Sequence, residues 1–218
     1  MNLKEFFRPV YVPVVNVYFK TFKAPKRYHH LVDEIRKNKV TSILEVGTWS
    51  GDRAVEMIKV AHKYAPNKKI RYTGFDLFED LTDNLYMSEL SKKPPTKKKV
   101  EEKLLQTGAS VELVQGNTVE TLPKYVMSSS KFDFIYIDGG HNAETIQSDW
   151  QAVSELMHEN SVVIFDDYWR NREDQSAKPV VDRIDTQKYN VEVLPEIDVF
   201  ENHNFGRLEI SFAKVTRK

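Results

Sequence analysis

Residues 42–53 read SILEVGTWSGDR, and the fold turns on this stretch. Ser42 to Val46 is a short apolar run interrupted by one acid, Glu45, as in a strand buried within a parallel sheet. Gly47 and Gly51 bracket a tight turn, and Ala54, Met57, Ile58, Ala61 and Ala65 then recur at helical spacing. Strand, glycine turn and helix in that order form a unit that binds nucleotide-like ligands at the carboxyl end of a sheet. Gly47 is free to adopt positive φ and to let backbone approach a ligand, and Glu45 is placed to meet a ligand's polar or cationic groups. The spacing E-x-G-x-x-x-G is not the G-x-G-x-x-G of a dinucleotide site, which favours a ligand without a pyrophosphate. A plain, well-formed turn gives the same local pattern.

The chain downstream repeats the strand-then-helix order. Residues 69–75 predict a second strand ending at Asp76, a little over 20 residues beyond Gly51, where a carboxylate accepts from both ribose hydroxyls or simply meets solvent. Residues 110–115 alternate as a third strand. Asn117 and Thr118 follow, with Glu120 three residues after Asn117, so Asn117 is either a helix N-cap in a capping box or an amide lying over a base. FDFIYIDGGH at 132–141 predicts a buried fourth strand ending at Asp138, two glycines, His141, and a helix over about 143–157. SVVIF at 161–165 predicts a fifth strand running into Asp166-Asp167-Tyr168-Trp169. A helix over 177–186 and strands at 189–194 and 207–215, separated by a loop, complete the chain.

Alternating strands and helices make the sheet parallel, so the strand ends share one edge. If the fourth and fifth strands are neighbours, Asp138 converges with Asp166 and Asp167, because adjacent strands lie about 4.8 Å apart. Carboxylates that close repel unless a cation joins them, and three oxygen donors suit Mg²⁺ or Mn²⁺. The alternative is that these acids cap helices or face solvent. His141 is a candidate general base, metal ligand or orienting donor, or lines the pocket.

Composition narrows the classes. The 218 residues suit one α/β domain with a full core. Lys plus Arg and Asp plus Glu both total 32, which gives no global attraction to nucleic acid or an anionic membrane. The absence of cysteine excludes disulfides, thiolate metal sites and cysteine nucleophiles. No apolar run approaches the roughly 20 residues of a membrane span, and Pro9 and Pro13 break the apolar N-terminal stretch, so a cytoplasmic protein is expected. Residues 1–40 form an N-terminal helical extension that covers the site, packs as an appendage or contacts a second copy in a homodimer. Residues 41–218 form the main domain, with an insertion at about 77–108 that suits a lid beside the ligand crevice.

Five stretches in order, ILEVGTWSG, YTGFDLFED, VELVQGNTVETLP, FDFIYIDGGHNAETIQSDW and VVIFDDYW, resemble the class I S-adenosylmethionine-dependent methyltransferases. Within that class they resemble the group related to macrocin-type O-methyltransferases, in which an acidic metal site accompanies the cofactor site. The resemblance implies a Rossmann-like, seven-stranded, mostly parallel sheet with helices on both faces and the last strand antiparallel. It implies that Glu45, Gly47, Thr48 and Gly51 hold the methionine end of S-adenosyl-L-methionine, that Asp76 binds ribose and that Asn117 and Thr118 lie near adenine. Asp138 would serve both the cofactor and, with Asp166 and Asp167, the metal. The expected chemistry is methyl transfer to a small-molecule hydroxyl, a sugar or a phenol, with metal lowering the hydroxyl's pKa and His141 as base. Residues 1–40 and 77–108 match no pattern of the family, and they usually shape the acceptor site. Competing readings are a non-catalytic S-adenosylmethionine-binding module and a nicotinamide oxidoreductase, the latter disfavoured by the glycine spacing. A nucleic-acid methyltransferase would need a basic groove or an Asn-Pro-Pro-Tyr-like motif, and neither is present.

Overall fold

The computed structural model describes residues 25–84, 94–173, 176–203 and 206–218. Its elements begin with a short 3₁₀ turn at Lys26–Tyr28 and helix α1 at His29–Asn38. Then come β1 (Ser42–Val46), α2 (Asp52–Tyr64), β2 (Arg71–Asp76), a second 3₁₀ turn (Phe78–Asp80) and α3 (Lys97–Leu105). The middle of the chain forms β3 (Ser110–Gln115), α4 (Thr118–Val126), β4 (Phe132–Ile137), α5 (Ala143–Glu155) and β5 (Met157–Trp169). It ends with α6 (Lys178–Val181), β6 (Tyr189–Val193), β7 (Asp198–His203) and β8 (Gly206–Arg217).

The strands lie in the order β3-β2-β1-β4-β5-β8-β6, with β7 also pairing β8. The first five are parallel, and β8 runs antiparallel to β5, β6 and β7. The mostly parallel sheet with an antiparallel last strand is as expected, but among the described residues it has eight strands, not seven. The extra strand, β7, occupies half of the expected loop between 194 and 207. Twelve-residue β8 is longer than β6 can cover: β6 pairs with residues 213–217 and β7 with residues from Gly206 to Ile210. The expected helix at 177–186 is also shorter. After Val181 the backbone tightens, with Arg183 N donating to Val180 O and Ile184 N to Val181 O, both at 3.1 Å.

Strand alternation divides the core between two faces. Ile43, Tyr72, Phe134, Ile164 and Phe212 pack on one side with Leu31 and Ile35 of α1, Met57 and Ile58 of α2, and Val100 and Leu104 of α3. Leu44, Phe75, Ile135, Val163 and Phe165 pack on the other with Leu122 of α4, Ile146, Trp150 and Val153 of α5, and Val180 and Val181 of α6. Every residue of β1 is buried, and the strand leading to Gly47 lies in the interior of the sheet between β2 and β4. The N-terminal extension thus contributes α1 to the main core; the expectations for residues 1–24, and for 85–93 of the insertion, lie outside the described residues. Among the described residues no helix is long and apolar enough to cross a membrane.

Candidate functional site

The parallel strands deliver their carboxyl ends to one rim, and a cleft of about 450 Å³ lies along it. Its wall at the ends of β1, β2 and β3 includes Gly47, Trp49, Asp76, Leu77, Gly116, Asn117 and Thr118. At the ends of β4, β5 and β8 it includes Asp138, Gly139, Gly140, His141, Asp166, Asp167, Trp169 and Leu208. Arg27 and Tyr28 from the N-terminal segment, and Leu81 and Pro94 from the insertion, complete the lining.

Gly47 has φ +92°, and a Cβ there would stand 2.0 Å from the carbonyl oxygen of Asp138. The close approach that requires glycine is therefore that of the β4 loop, packed against the turn. Past it, the Trp49 amide donates to Asp76 Oδ2 at 2.6 Å and the Phe78 amide to Oδ1 at 2.9 Å. Burial raises the Asp76 pKa, and these backbone donors oppose the rise. Asn117 caps α4, its side chain accepting from the Val119 amide at 3.1 Å, and lines the cleft as well. The two readings of this residue are compatible.

At the other end, Asp138 follows the Ile137–Phe165 pair of β4 and β5, which places it beside Asp166. Consecutive strand residues normally point to opposite faces. Here the β5–β8 register shifts between Phe165 and Tyr168, and Asp167 takes φ +53°, so both Asp166 and Asp167 line the cleft. A positive φ at a non-glycine costs about 1–3 kcal/mol and marks a site where geometry is imposed. Asp167 Oδ2 lies 2.7 Å from His141 Nε2, and its Oδ1 accepts from Trp169 Nε1 at 3.3 Å. Burial alone would raise the Asp167 pKa, but the hydrogen bond and charge of His141 outweigh it and hold the carboxyl at about 2. Asp138 goes the other way: burial, then the charges of Asp166 and Asp167, push its pKa well above the carboxylate range.

The donor set suits a divalent cation chemically, since one oxygen from each of Asp138, Asp166 and Asp167 lies within 4.8 Å of the others. Asp166 is nonetheless already engaged. Arg27 Nε and the Asp167 amide donate to its Oδ1 at 2.8 and 2.6 Å. The Tyr136 and Tyr28 hydroxyls stand 2.6 and 3.3 Å from its Oδ2. Arg27 is only 4% exposed and Asp166 only 3%, so this is a buried ion pair. With the guanidinium docked, the corner does not fit a three-carboxylate metal site.

The family model for the methyltransferase domain matches residues 44–168, which include the glycine turn, the aspartate corner and His141. The chain belongs to the methyltransferase domain family. No curated protein matches it. A putative O-methyltransferase from Klebsiella pneumoniae has a similar structure, with 15% identity, a TM-score of 0.61 and coverage of 89% of this chain and 81% of that one. The O-methyltransferase from Bacillus cereus, solved in complex with SAH, shares 14% identity over 88% of this chain and 81% of that one, with a TM-score of 0.60. A putative caffeoyl-CoA O-methyltransferase from Staphylococcus aureus shares 17% identity over 95% and 92%, with a TM-score of 0.58. These likenesses establish the common fold.

Within this methyltransferase domain, the structure brings Gly47, Asp76, Asn117, Thr118, Asp138, His141, Asp166 and Asp167 together along one cleft. Glu45, Thr48 and Gly51 lie outside its lining. Glu45 is 1% exposed, hydrogen-bonded to the Tyr72 hydroxyl, and pushed up to about 8 by burial. The Thr48 hydroxyl lies 3.1 Å from the same Tyr72 oxygen. Gly51 starts α2 with φ +70°, its missing Cβ facing Val100 and Leu104. Sequence reading missed Arg27, Tyr28, Trp49, Tyr136 and Trp169. Tyr136 reads as a core residue on alternation, although its hydroxyl serves the acidic corner. For Arg27 and Tyr28 the only signal was the basic and aromatic character of the N-terminal stretch.

Proposed function

We propose that this methyltransferase domain binds S-adenosyl-L-methionine and transfers its methyl group to a hydroxyl of a small molecule. The observation that carries the reading is the Asp167–His141 pair beside a cleft whose other end presents Asp76. The cofactor supplies an already activated methyl group on a sulfonium, so no covalent enzyme intermediate is required. The residues fit it: Asp76 is a half-buried carboxylate held by backbone amides, with acceptor capacity for a ribose diol, and Asn117 and Thr118 offer amide and hydroxyl groups for a base. Gly47 would lie at the methionine end, above the buried Glu45–Tyr72–Thr48 group.

A neutral hydroxyl is a weak nucleophile, and His141 Nε2 is oriented by Asp167 as in other base–carboxylate pairs. Asp167 stays ionised and stabilises the imidazolium that forms when His141 takes the acceptor's proton. Tyr28, Trp169 and Leu208 give this end of the cleft apolar and aromatic surface for an acceptor ring. Arg27 stands on Asp166, the carboxylate that a divalent ion would have to share with Asp138 and Asp167, so His141 rather than a metal ion is assigned the acceptor's proton.

Calorimetry with S-adenosylmethionine and S-adenosylhomocysteine tests the first half of the reading, and absence of binding to either refutes it. Turnover against a panel of sugar and phenol hydroxyls, with and without chelator, tests the second. Binding without turnover on any acceptor would instead mark a non-catalytic module.

A further inference from the structure

On the outer side of the N-terminal segment, three side chains that the methyl-transfer site does not use converge: His29 and His30 at the start of α1, and Glu196 between β6 and β7. One ligand atom from each lies within 4.8 Å of the others. We propose that His29, His30 and Glu196 form a binding site for a divalent transition-metal ion of the zinc class, which fastens the N-terminal segment to the β6–β7 connection.

The hydrogen bonds select this ligand. His29 Nδ1 lies 2.6 Å from the carbonyl oxygen of Lys26. A carbonyl only accepts, so Nδ1 carries the proton and Nε2 of the neutral ring presents a lone pair. That lone pair faces Glu196 Oε1 at 3.7 Å, leaving two acceptors that a cation between them would bridge. His30 Nε2 is hydrogen-bonded to the other oxygen, Oε2, and the two imidazole rings lie 4.0 Å apart between centroids. An imidazole whose second nitrogen donates to a backbone carbonyl is the usual arrangement of a metal-ligating histidine. Two imidazoles and one carboxylate, with water in the fourth place, form an open zinc set. Neighbouring ligand atoms around a tetrahedral ion with bonds near 2.0–2.1 Å stand roughly 3.3 Å apart; the His29 Nε2–Glu196 Oε1 separation of 3.7 Å is close to this, and His30 would exchange its hydrogen bond to Glu196 for the ion. The His29 side chain is 46% exposed and that of Glu196 31%, so an ion has access from solvent.

The consequence reaches the cleft through the chain. The Lys26 and Arg27 amides both donate to Asp198, two residues beyond Glu196, at 2.7 and 3.2 Å. From this same turn, Arg27 and Tyr28 extend into the aspartate corner. A metal ion on His29, His30 and Glu196 therefore holds the segment that presents Arg27 to Asp166.

The test uses the full chain without a histidine tag. Titration with Co²⁺ should develop the intense visible absorption of a tetrahedral nitrogen–oxygen site. Calorimetry with Zn²⁺ should show one site, weakened at least about tenfold in the His29→Ala/His30→Ala double variant and in Glu196→Gln. Asp138→Asn, which alters the acidic corner alone, should leave the Co²⁺ spectrum unchanged. Zn²⁺ should also slow amide hydrogen exchange across residues 26–30. The site is refuted if the wild-type chain binds neither ion, if the histidine and glutamate variants bind as well as wild type, or if the signal follows Asp138. Binding with no change in exchange at 26–30 overturns the fastening.

Discussion

Glu45 makes the stability of this fold depend on pH in a direction opposite to that of most carboxylates. It lies in β1, inside the sheet, is almost wholly buried, and accepts from the Tyr72 hydroxyl. Burial pushes its pKa from the ordinary 4.5 to about 8. A carboxyl whose folded-state pKa is raised binds its proton more tightly in the native state, so it contributes stability at low pH. That contribution is complete below about pH 4.5 and disappears as pH rises toward 8. Each unit of pKa difference corresponds to 1.36 kcal/mol. Between pH 5 and pH 8 the wild-type protein should therefore lose about 3 to 4 kcal/mol from this group alone. Glu45→Gln keeps a neutral acceptor for Tyr72 and has no proton to lose, so that part of the slope should vanish. Urea denaturation of both proteins from pH 5 to pH 8 measures the difference directly. Parallel stability profiles would show that Glu45 is ionised in the native protein and would refute the reasoning.

Three further outcomes follow from the site. Arg27→Ala leaves Asp166 buried without its guanidinium partner, and should cost about 3–5 kcal/mol in urea denaturation; an unchanged midpoint would mean that the pair is dispensable. Gly47→Ala drives a Cβ onto the Asp138 carbonyl at positive φ and should cost more than about 2 kcal/mol, with loss of S-adenosylhomocysteine binding by calorimetry. His141→Gln and Asp167→Asn should each lower kcat by roughly 10²–10⁴ once an acceptor is known, while cofactor affinity stays within a few-fold of wild type; equal loss of both would make the pair structural.

Much of this protein was readable from local pattern. The apolar run into Gly47, the helical spacing after Gly51 and the repeated strand-then-helix order determine a parallel sheet with one functional rim. They do so because burial period and glycine placement are properties of a few neighbouring residues. The same logic put Asp76, Asn117 and Asp138 at or just past strand ends, and in the structure these residues line the cleft. It failed where distant segments decide the outcome. Strand β7 exists because β8 is long enough to offer it an edge, and residues 198–203 do not announce that by themselves. Glu45 and Thr48 follow the expected motif, yet the Tyr72 hydroxyl ties them beneath the cleft.

The acidic corner shows the division most clearly. Sequence alone put Asp138 after the fourth strand and Asp166 and Asp167 after the fifth; that these strands are neighbours, and that β5 runs on through both aspartates to Trp169, came only from the fold. Only the tertiary structure decided that a register shift against β8 turns consecutive aspartates into one cleft, and that Arg27, 139 residues earlier in the chain, supplies the positive charge they require. Like charges crowded at a sheet edge demand a counter-charge, but which group provides it depends on which distant segment packs there.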